Sequence, residues 1–175
     1  MDLVLLPGNS LNNKQWIDEV KIALGPTFNK TRVLYYSHWQ TGDSLIDFEK
    51  EQTALKALTQ DLGDLVIFAK SAGCLLILKM ISQSKLKPKK CIFVGAALLW
   101  GEAQGWEVKS WLKDFSIPTL FIQKSLDPAI SFKDLENQLV EAKVQNYKLV
   151  EIPGDDHHYD DVTQLKNLVL EFVKN

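Results

Sequence analysis

Residues 65–76, Leu65-Val66-Ile67-Phe68-Ala69-Lys70-Ser71-Ala72-Gly73-Cys74-Leu75-Leu76, join one apolar run to another through a serine set among small residues. The first run, Leu65 to Phe68, is continuous in polarity rather than alternating, as expected of a strand covered on both faces. The second, Ala72 to Ser82, is apolar nearly all round, which predicts a helix buried between a sheet and other helices. Only Ala69, Lys70 and Ser71 separate them, so strand passes into helix almost without a loop. Such a turn strains the backbone at the serine and demands small side chains two positions to either side, here Ala69 and Gly73. In return it lifts the serine hydroxyl out of the sheet at a helix N-terminus.

The same rhythm runs through the rest of the chain. Strand candidates are Leu3 to Leu6, Arg32 to Tyr36, Leu65 to Phe68, Cys91 to Ala96, Thr119 to Gln123 and Lys148 to Ile152. Helix candidates between them are Asn12 to Leu24, stopped by Gly25-Pro26, Ser44 to Leu62 with Asp43 or Ser44 as N-cap, Ala72 to Ser82, Phe132 to Lys143, and Val162 to Lys174 with Asp160 or Asp161 at its N-terminus. Strand alternating with helix predicts an α/β fold, a three-layer α/β/α sandwich with a mainly parallel sheet of about six strands. With 175 residues and no repeat, linker or composition break, a single domain over 1–175 is expected. Residues Trp100 to Phe115 break the rhythm and hold three of the five tryptophans, Trp100, Trp106 and Trp111. Two readings stand open for them, an irregular helix sealing the domain edge and a short apolar flap over a pocket.

Composition narrows the function. Lys plus Arg is 20 against 22 Asp plus Glu, a net charge of -2, which leaves no basic surface for nucleic acid. The densest basic run, Lys85, Lys87, Lys89 and Lys90 around Pro88, reads as a solvated helix-to-strand loop. No apolar stretch is long enough for a membrane span, and Met1 to Leu6 lacks the basic start of a signal peptide, so a cytoplasmic location is expected. Cys74 and Cys91 lie inside apolar runs, as buried reduced thiols do.

Two further features bear on Ser71. A serine nucleophile needs a base for its proton and a carboxylate to orient that base. Asp127 follows the fifth strand in Gln123-Lys124-Ser125-Leu126-Asp127-Pro128, at the strand end where open α/β sheets place ligand and catalytic groups, although Asp-Pro alone also starts a turn. After the sixth strand, Gly154-Asp155-Asp156-His157-His158-Tyr159 sets two adjacent histidines on the loop into the last helix.

In the order Ser71, Asp127, histidine, at the ends of three different strands, the chain resembles the α/β-hydrolase superfamily, in particular its small, nearly capless serine hydrolases and esterases. The resemblance spans essentially the whole chain and rests on Leu5-Leu6-Pro7-Gly8-Asn9, the elbow at Ser71, the strand ending before Asp127, and Gly154-x-x-His157. It implies Ser71 as nucleophile, Asp127 as orienting acid and His157 as base, since the family's glycine usually precedes its catalytic histidine by three places. It also implies an oxyanion hole from the backbone N–H groups of Ala72 and Asn9. Pro7-Gly8 replaces the usual His-Gly, Ala69 replaces glycine, and Lys70 stands where histidine is frequent. The family's leading hairpin is expected to be missing, because the chain starts at an internal strand of the full fold.

The activity implied is hydrolysis of a carboxylic ester, thioester or small amide through an acyl-Ser71 intermediate, on a small-molecule acyl substrate and without cofactor or metal. The base must be neutral, so the rate should rise with pH as the imidazole loses its proton. His38, Trp39 and Trp100 are candidates for lining the substrate pocket, and Lys70 for adding positive charge beside it. With no large cap between the fourth and fifth strands, the pocket should be shallow or completed by a partner subunit; no feature sets an oligomeric state. Nucleotide binding is disfavoured because neither G-x-G-x-x-G nor G-x-x-x-x-G-K-[ST] occurs. A metal site among Asp155, Asp156, His157, His158, Asp160 and Asp161 lacks ligand spacing. The serious rival is a non-catalytic binding module on the same fold.

Overall fold

A computed structural model describes residues 1–174. Six strands form one sheet: β1 (Asp2–Leu6), β2 (Thr31–Val33), β3 (Leu65–Lys70), β4 (Lys90–Val94), β5 (Thr119–Lys124) and β6 (Tyr147–Ile152). Their spatial order is β2-β1-β3-β4-β5-β6 and every pairing is parallel. The chain steps outward from β1 to β2, then crosses back to β3 and runs the other way. The loops after β1 and β3 therefore diverge at a topological switch point, the crevice where sheets of this kind bind ligands.

The continuous apolar strands serve two cores at once. Alternate residues Val4, Leu6, Ile67, Ala69, Phe93 and Phe121 point to one face. There they meet α3 (Phe48–Thr59), α4 (Ala72–Ser82), α6 (Val108–Leu112) and α7 (Phe132–Glu141). Leu3, Leu5, Val66, Phe68, Ile92 and Ile122 point to the other, against Ile17, Val20 and Leu24 of α1 (Asn13–Leu24) and Leu165 and Val169 of α8 (Val162–Lys174). The expected three-layer sandwich follows from this division. α4 is buried along almost its whole length, as its all-round apolar sequence requires.

Several element ends fall one to four residues from expectation, and three regions show a physical reason. α3 starts at Phe48 rather than at Ser44, and its N-cap is Asp47, not Asp43 or Ser44. Asp47 has the extended backbone of a cap and accepts from the N–H groups of Glu49 and Lys50, while residues 44–46 are occupied in a loop bonded to Asn9. β2 stops at Val33, and α2 (His38–Thr41), a single turn, follows it. Residues 98–112 form two short helices, α5 (Leu98–Ala103) and α6, joined through Gly105. Their indoles pack inward: Trp106 lies 4.5 Å from Phe48 and edge-on to Trp100, and Trp111 meets the same Phe48. The sealing role fits this packing; a flap does not. Cys74 and Cys91 are free and fully buried, and burial pushes both thiols up. Among the described residues no helix is long and apolar enough to cross a membrane.

Gly73 marks a close approach of α4 to the backbone at the end of β1. A Cβ there would lie 2.8 Å from the Pro7 carbonyl oxygen and 3.0 Å from both Leu6 Cβ and its carbonyl oxygen. Backbone atoms cannot swing aside as a side-chain tip can. Gly73→Ala should therefore destabilise the protein by about 1–3 kcal/mol, read as a lower denaturant midpoint at unchanged slope.

Candidate active site

Ser71 joins β3 to α4 with φ 54° and ψ -119°, a conformation that side-chain-bearing residues rarely adopt. Holding it costs about 1–3 kcal/mol. The surroundings enforce it: the Ser71 N–H donates to the Val94 carbonyl at the end of β4 (3.1 Å), and its carbonyl accepts from Cys74 N–H (2.9 Å). Serine at a helix start ordinarily caps the helix with its side chain, yet Ser71 makes no such bond. Among the described residues its hydroxyl makes no cap bond, and it stands at the positive end of the α4 dipole.

Asp127 and His157, 30 residues apart, meet beyond the ends of β5 and β6. Their loops are knitted by backbone bonds, Ser125 N–H to Ile152 carbonyl and Leu126 N–H to Gly154 carbonyl, both 2.9 Å. His157 Nδ1 lies 2.9 and 2.8 Å from the two Asp127 oxygens. The carboxylate also accepts from Ala129 N–H and Tyr159 O–H, each at 2.8 Å. Burial alone would raise the Asp127 carboxyl, but the bond and charge of His157 with these donors hold it below its ordinary value. An ionised carboxylate only accepts, so the Nδ1 proton is fixed. That leaves His157 Nε2 as the basic nitrogen, and it is buried with no hydrogen-bond partner among the described residues.

Gly95 brings these groups over the elbow. It follows Val94, which binds Ser71, and has φ 55°. A Cβ there would meet Tyr159 Cε2 at 2.6 Å and His157 Cε1 at 3.1 Å. Ser71 and His157 thus flank the same strand end. Tyr159, Gly95 and Gln123 escaped the sequence reading. Tyr159 is buried, its phenol pushed up by burial and Asp127, and it takes the Lys124 N–H while giving its own proton to Asp127. Gln123 accepts from Ala96 N–H and donates to the Ile130 carbonyl, tying the loops after β4 and β5. A polar residue in an apolar strand was the available signal for Gln123; nothing local marked the other two.

The loop after β1 lies against the elbow through the Gly73 contact with Pro7. The backbone N–H groups of Asn9 and Ala72 have no hydrogen-bond partner among the described residues. His38 is 4% exposed and Trp39 half-buried; both direct a ring nitrogen onto the Asn9 carbonyl, and both line a cavity of about 300 Å³ with Asn9 and Ser44. Trp100 sits on the Trp106 and Phe48 cluster.

Lys70, next to Ser71, is 5% exposed. It donates to Asn13 Oδ1 (2.9 Å), lies 5.4 Å from the Trp16 ring, and lines a cavity of about 220 Å³ with His157 and Asp160. Burial lowers its ammonium to about 8, against the opposing pull of Asp127. A larger cavity of about 490 Å³, between α6 and α7, is lined by Lys109, Lys113, Gln138 and Glu141 and contains none of the predicted site residues.

The chain matches no family model, and a search of curated proteins finds no match. Solved structures do resemble it. Est1E from Butyrivibrio proteoclasticus is 19% identical, with 99% of this chain covering 88% of that one at a TM-score of 0.71. Mouse α/β hydrolase domain-containing protein 10 is 12% identical over 99% of this chain and 89% of that one, TM-score 0.72. The monoacylglycerol lipase of Paleococcus ferrophilus is 12% identical over 98% and 93%, TM-score 0.64. With the parallel six-stranded sheet and its strand order, these likenesses show that the chain has the α/β-hydrolase fold.

Two outcomes follow from this geometry. Ser71→Gly and Ser71→Ala both remove the hydroxyl, but only glycine relieves the positive φ, so the glycine variant should be the more stable by about 1 kcal/mol in chemical denaturation. Lys70 loses its proton near pH 8 when folded and near 10.5 when unfolded, so its stability cost is full below pH 8 and is relieved as pH rises across that window. The stability of wild type relative to Lys70→Met should therefore improve between neutral and strongly alkaline pH; a difference independent of pH would contradict this origin.

Proposed function

We propose that the protein is a serine hydrolase that cleaves a carboxylic ester, thioester or small amide of a small acyl substrate. Ser71, His157 and Asp127 are its catalytic triad. One observation carries the reading: His157 has one ring nitrogen tied to an ionised carboxylate and the other, among the described residues, buried and unpaired, and it packs over Gly95 at the strand end that binds the strained Ser71. The solved structures of similar fold include Est1E with ferulic acid bound and a monoacylglycerol lipase, which agrees with an ester substrate.

In the first half-reaction His157 Nε2 takes the Ser71 proton as Oγ adds to the acyl carbonyl. The tetrahedral oxyanion is bound by the N–H groups of Ala72 and Asn9. It collapses to acyl-Ser71 as His157 returns the proton to the leaving alcohol, thiol or amine. Water then repeats the sequence, releasing the acid. Asp127 stays ionised throughout, holding the tautomer and stabilising the imidazolium. Preorganised N–H donors of this kind each contribute about 2.7–4 kcal/mol to the barrier reduction.

A fluorophosphonate probe tests the assignment, because it phosphonylates an activated serine and not a merely exposed one. Wild type should be labelled and Ser71→Ala should not; Asp127→Asn should be labelled at least about 100-fold more slowly, since the wrong imidazole tautomer disables the base. An unlabelled wild type that turns over no ester in a broad acyl panel would instead identify a binding module on a hydrolase fold.

A further inference from the structure

The loop that carries Asn9 rests on α4 at Gly73, and its long-range hydrogen bonds come from residues 36–46. Tyr36 O–H donates to the Pro7 carbonyl (2.7 Å). The Asn9 side chain donates to the Ser44 carbonyl and accepts from Ile46 N–H, each at 2.8 Å. The Asn9 carbonyl is taken twice, by Trp39 Nε1–H at 2.7 Å and His38 Nε2 at 2.8 Å. A carbonyl only accepts, so His38 carries its proton on Nε2. Its Nδ1 is buried without a partner, so among the described residues this ring has no other polar contact. The two rings are braced in turn: His38 stacks on Tyr36 with centroids 5.6 Å apart, and Trp39 meets Tyr36 edge-on at 5.3 Å. Each polar group of Asn9 is thus engaged except its backbone N–H.

We propose that His38 and Trp39 are positioning residues of the reaction, clamping the Asn9 carbonyl so that the loop after β1 presents the Asn9 N–H to the substrate oxyanion in one fixed orientation. The inference rests on the serine-hydrolase reading and deepens it. An oxyanion donor works only within about 2.7–3.1 Å of where the negative charge develops, and it works best when no reorganisation is needed as the charge appears. Without the clamp, a loop between strand and helix is free to turn its peptide groups, and a misplacement of about 1 Å costs up to 100-fold in rate. Two aromatic N–H donors on a single carbonyl fix the neighbouring backbone in a way that contact with substrate would not require.

The test compares wild type with Trp39→Phe, His38→Ala and His38→Gln, using p-nitrophenyl acetate hydrolysis and the rate of fluorophosphonate labelling, both normalised to folded protein. Trp39→Phe keeps the ring against Tyr36 and loses only the donor, so it carries the test even where His38→Ala folds poorly. Each of these two should lower kcat at least about tenfold with KM within about twofold, because the lost interaction acts in the transition state. His38→Gln, whose amide nitrogen reaches nearly the position of Nε2, should recover most of the rate. Affinity for a trifluoromethyl ketone, which forms an oxyanion adduct on serine, should fall in step with kcat/KM. If wild type is labelled at Ser71 while both donor-less variants keep kcat within about twofold, or lose rate with no loss of ketone affinity, the clamp is wrong and the hydrolase reading stands. If wild type is not labelled, both fall.

Discussion

Ser71 occupies a backbone conformation that no isolated serine would choose, and the rest of the molecule is arranged to hold it there. The strain persists because its surroundings over-determine it. On one side β4 supplies the Val94 carbonyl to the Ser71 N–H; on the other, α4 is buried so completely that it cannot shift to relax the turn. Gly73 then lets the first turn of α4 settle against the Leu6 and Pro7 carbonyls, bringing the loop after β1 to the elbow. Relaxing Ser71 would mean moving a fully packed helix, at a cost in core contacts far above the local strain.

From that turn outward, each face of the sheet contributes differently. α1 and α8 cover one face, and the loop into α8 carries His157; Trp16 of α1 steadies that loop through an indole N–H bond to the Tyr159 carbonyl (2.8 Å). α3, α4, α6 and α7 cover the other, and the segment before α3 holds Asn9. The elbow and the loop after β1 meet at the switch point between β1 and β3. The candidate site draws on the loops that follow all six strands.

Much of the fold is legible in the chain because its signals are local. Continuous apolar runs such as Val66 to Phe68 can only be buried strands when they alternate with amphipathic stretches, and Ala69-Lys70-Ser71-Ala72-Gly73 leaves too few residues for anything but a tight turn. Errors fall where a distant segment competes for the same groups. Asp43 and Ser44 are as good N-caps as Asp47 on local chemistry, but residues 44–46 are engaged by Asn9, 35 residues or more away. The three indoles between 100 and 111 look free in sequence, yet they turn inward because Phe48 of α3 offers Trp106 and Trp111 an apolar partner and Trp106 in turn meets Trp100.

The candidate site divides in the same way. Residue type and order along the chain mark Ser71, Asp127 and the pair His157-His158 at strand ends, and only the resemblance to a known family prefers His157 over its neighbour. Positions that act by shape leave no such mark. Gly95 matters because two rings pass over it, Tyr159 because its hydroxyl reaches a carboxylate 32 residues earlier, and His38 because its ring nitrogen reaches a main-chain carbonyl 29 residues before it. By itself the sequence determined which chemical groups are present and which strand ends carry them. Which nitrogen of His157 is left free, and which backbone N–H groups remain unpaired, were decided only by tertiary structure, because those properties depend on what every neighbouring group has already bonded to.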